Sequence, residues 1–157
     1  MEQAKQICAA YTALHPNLPR WWKAVLHTLM QRGWLTTTFG RRRTFFGRGV
    51  TGYLGETHRE AIAFEPQSTV ADLLNRGLMR WWKQHDGKIG ELRLQIHDSV
   101  LLHVPEAKAT LAARLLHRCL SEALTMEQHV FTIPVDVSVG TDWGNMTKVD
   151  LSAKVAA

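Results

Sequence analysis

Cysteine is scarce in this chain. Only Cys8 and Cys119 occur in 157 residues. Two distant thiols build neither a disulfide framework nor a paired thiolate metal site, so free thiols in a reducing compartment are expected. Long apolar runs are missing as well. Nothing approaches the ~20 residues that span a bilayer. No charged-then-apolar leader opens the chain. A cytoplasmic location without a membrane partner is the expectation. The Gly-x-x-x-x-Gly-Lys phosphate cradle does not occur. Neither do repeats, low-complexity linkers or a composition shift, which leaves one domain. Acidic residues are in the minority, 14 against 19 Lys and Arg, for a formal charge of +5. That balance favours a polyanionic partner, nucleic acid ahead of anionic membrane.

What is present divides into helix-spaced and strand-spaced stretches. Residues 2–15 read as a helix, with Ala4, Ile7, Cys8, Tyr11 and Leu14 on one stripe. Asn17 is a candidate cap for a second helix, with Pro19 in its first turn and Gly33 at its end. Its buried stripe would be Trp21, Trp22, Val25, Leu26 and Leu29. Residues 34–38 and 44–46 read as two strands joined through Phe39, Gly40, Arg41, Arg42 and Arg43. Three arginines there are either a solvated charge run or a phosphate contact. Residues 47–55 are glycine-rich and read as a loop. Thr57 with Glu60, and Thr69 with Asp72, have capping-box spacing and announce two further helices. The second carries Val70, Leu73, Leu74 and Leu78, with Trp81 and Trp82 near its end, and Gly87 closes it.

The stretch around which the rest is arranged is 92–105. Leu92, Leu94 and Ile96 alternate with polar residues, which is strand spacing. Residues 99–104 form a second β-type run. Between them only His97 and Asp98 tolerate a turn, and both types enter positive φ more readily than most residues. The simplest geometry is an antiparallel hairpin with these two at its tip. Turn chemistry alone accounts for many such aspartates. A carboxylate on a rigid tip also suits a metal ligand. Pro105 and Glu106 then open a long amphipathic helix carrying Leu111, Ala112, Leu115, Leu116, Cys119, Leu120 and Ala123. Residues 133–139 read as a last strand, with Pro134 near its start, and 140–144 as a turn. Helices, hairpins and a closing strand make an α+β class, with helices on one face of an antiparallel sheet.

The string Gln95-Ile96-His97-Asp98-Ser99-Val100 resembles the palm hairpin, motif C, of family A DNA polymerases, which reads Gln-Val-His-Asp-Glu-Val or close to it. Other landmarks follow in the same order, from about Tyr11 to Trp143. Thr37-Thr38-Phe39-Gly40-Arg41-Arg42-Arg43 is similar to the family's Thr-x-x-Gly-Arg-Arg-Arg segment. His58-Arg59-Glu60-Ala61-Ile62 and Gln67-Ser68-Thr69-Val70-Ala71-Asp72-Leu73 resemble its Glu-Arg-x-x-x-Asn and Gln-Gly-Thr-Ala-Ala-Asp block, with the same spacing from Arg59 to Gln67. Ile133-Pro134-Val135 and Gly140-Thr141-Asp142-Trp143 resemble its closing strand and Gly-x-x-Trp turn.

That resemblance implies a palm-type antiparallel sheet, part of a polymerase palm and fingers, over residues 1–146, with 147–157 as a tail. It implies that Asp98 is one of two aspartates binding catalytic Mg²⁺. His97 would sit by the primer terminus, as part of the catalytic hairpin. Arg41, Arg42, Arg43, Arg59 and Gln67 would contact primer-template DNA, the last two near the site where dNTP is inserted. Four departures accompany it. Ser99 replaces a Glu, Ala63 an Asn, Ser68 a Gly, and Glu65 places negative charge near the expected DNA. The family's motif A, Asp-Tyr-Ser-x-Ile-Glu, and motif B, a Lys…Tyr-Gly helix, do not occur. The expectation is therefore a C-terminal palm piece that needs a partner chain supplying motifs A and B, and is inactive alone. A non-catalytic basic duplex-binding domain is the alternative. A structural protein with solvated arginines is a third.

Overall fold

The computed structural model describes residues 2–46, 55–126 and 128–151. Its helices are α1 (Glu2–Leu14), α2 (Asn17–Arg32), α3 (Glu56–Gln84) and α4 (Ala109–Leu120). Its strands are β1 (Trp34–Thr36), β2 (Arg42–Thr44), β3 (Glu91–Ile96), β4 (Ser99–His103), β5 (Ala123–Met126), β6 (His129–Thr132), β7 (Ser138–Gly140) and β8 (Met146–Lys148). A single 3-10 turn, Glu106–Lys108, precedes α4. The α+β class is therefore as expected. Among the described residues the strands form four separate two-stranded antiparallel sheets, each made by sequence neighbours. Two compact units divide the chain between Thr69 and Val70, inside α3.

In the first unit, α2 ends where Gly33 takes φ 74° and donates its N–H to Leu29 O at 2.7 Å. This is the left-handed stop that glycine makes cheap. Pro16 precedes the helix without a side-chain cap, so Asn17 is its first residue and not the cap expected. Leu26, Leu29, Leu35, Phe45, Ala61 and Phe64 form the core, with Phe45 and Phe64 edge-to-face at 5.9 Å. Trp21, Trp22 and Val25 are only half-buried. The α1 stripe is where the spacing put it, yet α1 buries nothing, and Ile7 is 64% and Leu14 76% exposed. The core is filled by α2, the first hairpin and α3, so α1's stripe stays outside it.

The two helices announced by capping pairs are one helix of 29 residues with Pro66 in its interior. Thr57 is thus a helical residue and no cap. Thr69 is buried, and its Oγ1 has no hydrogen-bond partner among the described residues. An interior proline costs ~3 kcal/mol. Each half of α3 buries an apolar face that offsets this: Ala61 and Phe64 before the proline, Leu73, Leu74, Leu78 and Trp81 after it. The glycine-rich loop read over 47–55 lies outside the described residues, save Gly55.

The second unit is built on Trp81, which is fully buried. Ala112, Leu116 and Cys119 of α4 pack with it, and Leu92 of β3, Leu102 of β4 and Val104 just beyond β4 cover the cluster. Trp82, expected near the same stripe, is exposed. Gly77 lets α3 approach the end of α4. A Cβ there would stand 2.6 Å from Leu120 Cδ2 and 2.9 Å from Cys119 O. Arg80 then locks the approach. Its Nε donates to Cys119 O at 2.9 Å, an end carbonyl of α4, and its Nη1 to Glu122 Oε2 at 2.7 Å. Arg76 pairs with the other Glu122 oxygen at 2.5 Å. Burial pushes the Cys119 thiol up, against the pull of Arg80 and Arg118, which leaves an inert core thiol.

The C-terminal part departs furthest from expectation. The long helix stops at Leu120, and Ala123 begins a β5–β6 hairpin that was not anticipated. Of the strand expected over 133–139, only Ser138 and Val139 are in β7, which pairs with β8. Pro134 lacks the N–H a ladder needs. Residues 147 and 148, expected to begin a tail, end β8; residues 152–157 lie outside the described residues.

Candidate active-site hairpin and basic face

The hairpin of β3 and β4 has the predicted form. Ile96 pairs with Ser99, leaving His97 and Asp98 as a two-residue connection. His97 has φ 52° and is the one non-glycine residue at positive φ among those described. This placement costs an L-residue about 1–2 kcal/mol, and the packed strands on either side hold it. Ser99 Oγ donates to Ile96 O at 2.9 Å, closing the base of the turn. The register shifts between Leu92 and Leu94, a bulge that leaves Leu94 and Ile96 partly exposed, contrary to a simple alternation.

Asp98 projects to solvent at the edge of a groove of about 1190 Å³ within the second unit. Leu94, Ile96, Leu101, Val137, Trp143 and Met146 line it, with Asp136 and Asp142 also on its wall. Among the described residues no group of three His, Cys, Asp or Glu side chains is poised to hold an ion. Mg²⁺ commonly takes one or two carboxylates and fills its octahedron with water and phosphate oxygens. Asp98 fits it as one ligand of an incomplete set.

The β7–β8 turn is ordered by Asp142. Its carboxylate accepts from Asn145 Nδ2 at 3.0 and 2.8 Å and from the Gly144 N–H at 2.9 Å. The Asn145 side chain, first among these donors, holds the carboxyl below its ordinary value of 3.8. A depressed folded-state pKa stabilises the turn above the unfolded value, and the contribution is lost as pH falls through the folded value. The amide resonances of Gly144 and Asn145 should therefore titrate with a midpoint under 3.8. A midpoint at or above it would mean that these bonds are absent in solution.

The basic residues lie in the first unit. Only Arg41 belongs to the turn; Arg42 and Arg43 are already in β2, opposite Thr36 and Leu35. The connection has as many residues as expected but lies two positions earlier, at 37–41, where Gly40, at φ 83°, donates its N–H to Thr37 O at 2.9 Å. Arg43 is matched by Glu60 at 2.6 Å and lies 4.7 Å from the Phe45 ring. Arg42 stacks on Trp34 at 4.1 Å, with Arg32 on the same indole at 5.5 Å. Arg59, Ala63 and Gln67 sit at i, i+4 and i+8 of α3 and share one face, with Arg59 and Gln67 exposed. Sequence reasoning missed Arg32, Glu60 and the exposed Phe46. Two adjacent aromatics, Phe45 and Phe46, one residue beyond the arginine run were the available signal for Phe46. Hairpin and basic face thus fall in different units.

A model of the family described as DNA polymerase family A matches residues 1–145. The DNA polymerase I of Chloroflexus aurantiacus is 30% identical over 147 residues, covering 92% of this chain and 15% of that protein. The thermostable DNA polymerase I of Thermus aquaticus is 26% identical over 144 residues, covering 90% and 17%. DNA polymerase theta of Caenorhabditis elegans is 21% identical over 148 residues, covering 93% and 9%. The chain therefore spans a small part of each relative.

Proposed function

The chain belongs to DNA polymerase family A, and from that premise we propose that it is the C-terminal part of a polymerase palm with its adjoining helices. In this reading residues 1–146 belong to the polymerase domain, and 147–157 follow as a tail whose first two residues finish β8. The observation that carries this reading is the His97–Asp98 hairpin tip, formed as a two-residue turn with His97 at positive φ. The function is template-directed addition of dNMP to a primer 3′ end, in the cytoplasm of a bacterial or phage-infected cell. No described helix is long and apolar enough to cross a membrane.

Asp98 is the metal ligand this chain contributes, and it would hold Mg²⁺ together with a second carboxylate from elsewhere. When bound, the ions offset charge on the attacking and leaving oxygens. His97, fixed by the turn, positions the primer terminus. Arg59 and Gln67 reach minor-groove acceptors common to every base pair, and so check pair shape without reading sequence. Ser99 adds no carboxylate, since its hydroxyl closes the turn. The palm-type sheet is completed by strands of a partner chain carrying motifs A and B, which also supplies the second aspartate and the dNTP-binding helix. A second reading, a basic duplex-binding domain that has lost the chemistry, is favoured by the lone carboxylate at the tip.

Salt titration of duplex binding tests the shared part of both readings. Each phosphate contact contributes about 0.9 to the slope of log affinity against log salt. Arg43 is already matched by Glu60. The triple change of Arg41, Arg42 and Arg43 to Ala should therefore reduce the slope, but by less than the roughly 2.7 that three open phosphate contacts would give. Arg43→Ala alone should change it little. An unchanged slope in the triple variant removes the arginine hairpin from the DNA. Primer extension separates the two readings: the first requires synthesis when the partner chain is added, and the second forbids it.

A further inference from the structure

Phe46 is 94% exposed, the most exposed large apolar side chain among those described. Water is a poor neighbour for a phenyl ring, and β2 ends only two residues before it. Its chain neighbour Phe45 is buried at 4%, in the core with Leu35 and Phe64. The Phe45 N–H also donates to Gly33 O at 2.9 Å, so the backbone leading to Phe46 is fixed. An aromatic ring is thus held out from an anchored backbone, beside a cluster of positive charge.

That charge is available. No ion pair among the described residues involves Arg32 or Arg42. Both lie on the Trp34 ring, which fixes their planes without neutralising them. Four residues separate Arg42 from Phe46, a span of at most ~14 Å. Bound arginines and a free aromatic at this spacing fit a strand with charged backbone and open base faces. A paired duplex hides its base faces, so a stacking ring has no use for its interior. An unpaired strand offers them.

We propose that Phe46 is a stacking platform for an unpaired base of the template strand, with Arg42 and Arg32 on the adjoining phosphates. This rests on the DNA-binding reading above and adds to it which part of the DNA the first hairpin holds. Base-on-aromatic stacking is sequence-tolerant, as a template contact must be. Because the ring is not part of the core, its replacement leaves the fold alone.

The test is fluorescence anisotropy at low salt with the full chain and two labelled probes. One is a blunt duplex; the other is the same duplex with a 5′ single-stranded extension. The extension should raise the affinity of the wild-type chain, and Phe46→Ala should remove that gain, about tenfold, while leaving blunt-duplex affinity unchanged. Phe46→Trp should retain the gain. Phe46→Leu, apolar but not aromatic, should lose it. Equal binding of the two probes by the wild-type chain, or a gain that survives Phe46→Ala or Phe46→Leu, overturns the stacking proposal and leaves duplex binding intact. Failure to bind either probe overturns both.

Discussion

Asp98→Asn should lower Mg²⁺-dependent primer extension about a hundredfold or more when this chain is combined with one carrying motifs A and B. Asparagine keeps the size and turn tolerance of aspartate, so the β3–β4 hairpin should survive unchanged. What is lost is one negative oxygen donor at a site where charge develops. Duplex affinity should stay within about twofold, because Asp98 is in the second unit and the basic residues are in the first. His97 needs different handling. At φ 52° an alanine would strain the turn as well as remove the imidazole. His97→Asn, which tolerates that conformation, isolates the side chain and should cost less than Asp98→Asn. Extension followed on a gel decides the matter. Full activity of Asp98→Asn in the reconstituted pair would remove it from the metal, and robust synthesis by this chain alone would end the need for a partner.

Trp81→Ala should be the most damaging single core change. Deleting a buried tryptophan costs about 3–5 kcal/mol, a large part of the 5–15 kcal/mol that holds a typical domain. A loss of that size lowers the melting temperature of a chain this long by about 10 °C. Among the described residues no acceptor meets the buried indole N–H of Trp81. Leaving a donor unpaired costs about 1–3 kcal/mol, so Trp81→Phe trades a smaller cavity against relief of that cost and should be much milder. Thermal unfolding followed by circular dichroism provides the comparison. If Trp81→Ala and Trp81→Phe melt together, the core is not organised around this ring.

These residues also show where the sequence was readable. The hairpin tip could be placed because its two strands are apolar and no other residue between them tolerates a turn. The stop at Gly33 was readable because a left-handed residue has few chemical solutions. The break in α3 was misread because the Thr69–Asp72 pair is a local signal, while the burial of Phe64, Leu73 and Leu74 that keeps the helix whole is tertiary. The β5–β6 hairpin was missed for the same kind of reason. Leu120 and Ala123 continue a helical stripe, and nothing local says that Arg80 and Glu122 close the helix at that point. Of the candidate site, the identity of the arginines was readable. Their engagement with Trp34 and Glu60 was not, since the first lies across the strand pair and the second is remote in sequence.

The four hairpins have a consequence for handling the protein. Within the described residues every strand is an outer strand, with one side of its backbone open. Natural sheets blunt such borders with charge or cover. Here β3 exposes Leu94 and Ile96 beside its open border. The surplus of five positive charges opposes the approach of a second copy. Salt shortens the reach of that repulsion to about 8 Å at physiological strength. Adding salt to strip nucleic acid from the preparation therefore also lowers its solubility limit, and concentrated stocks keep best in dilute buffer.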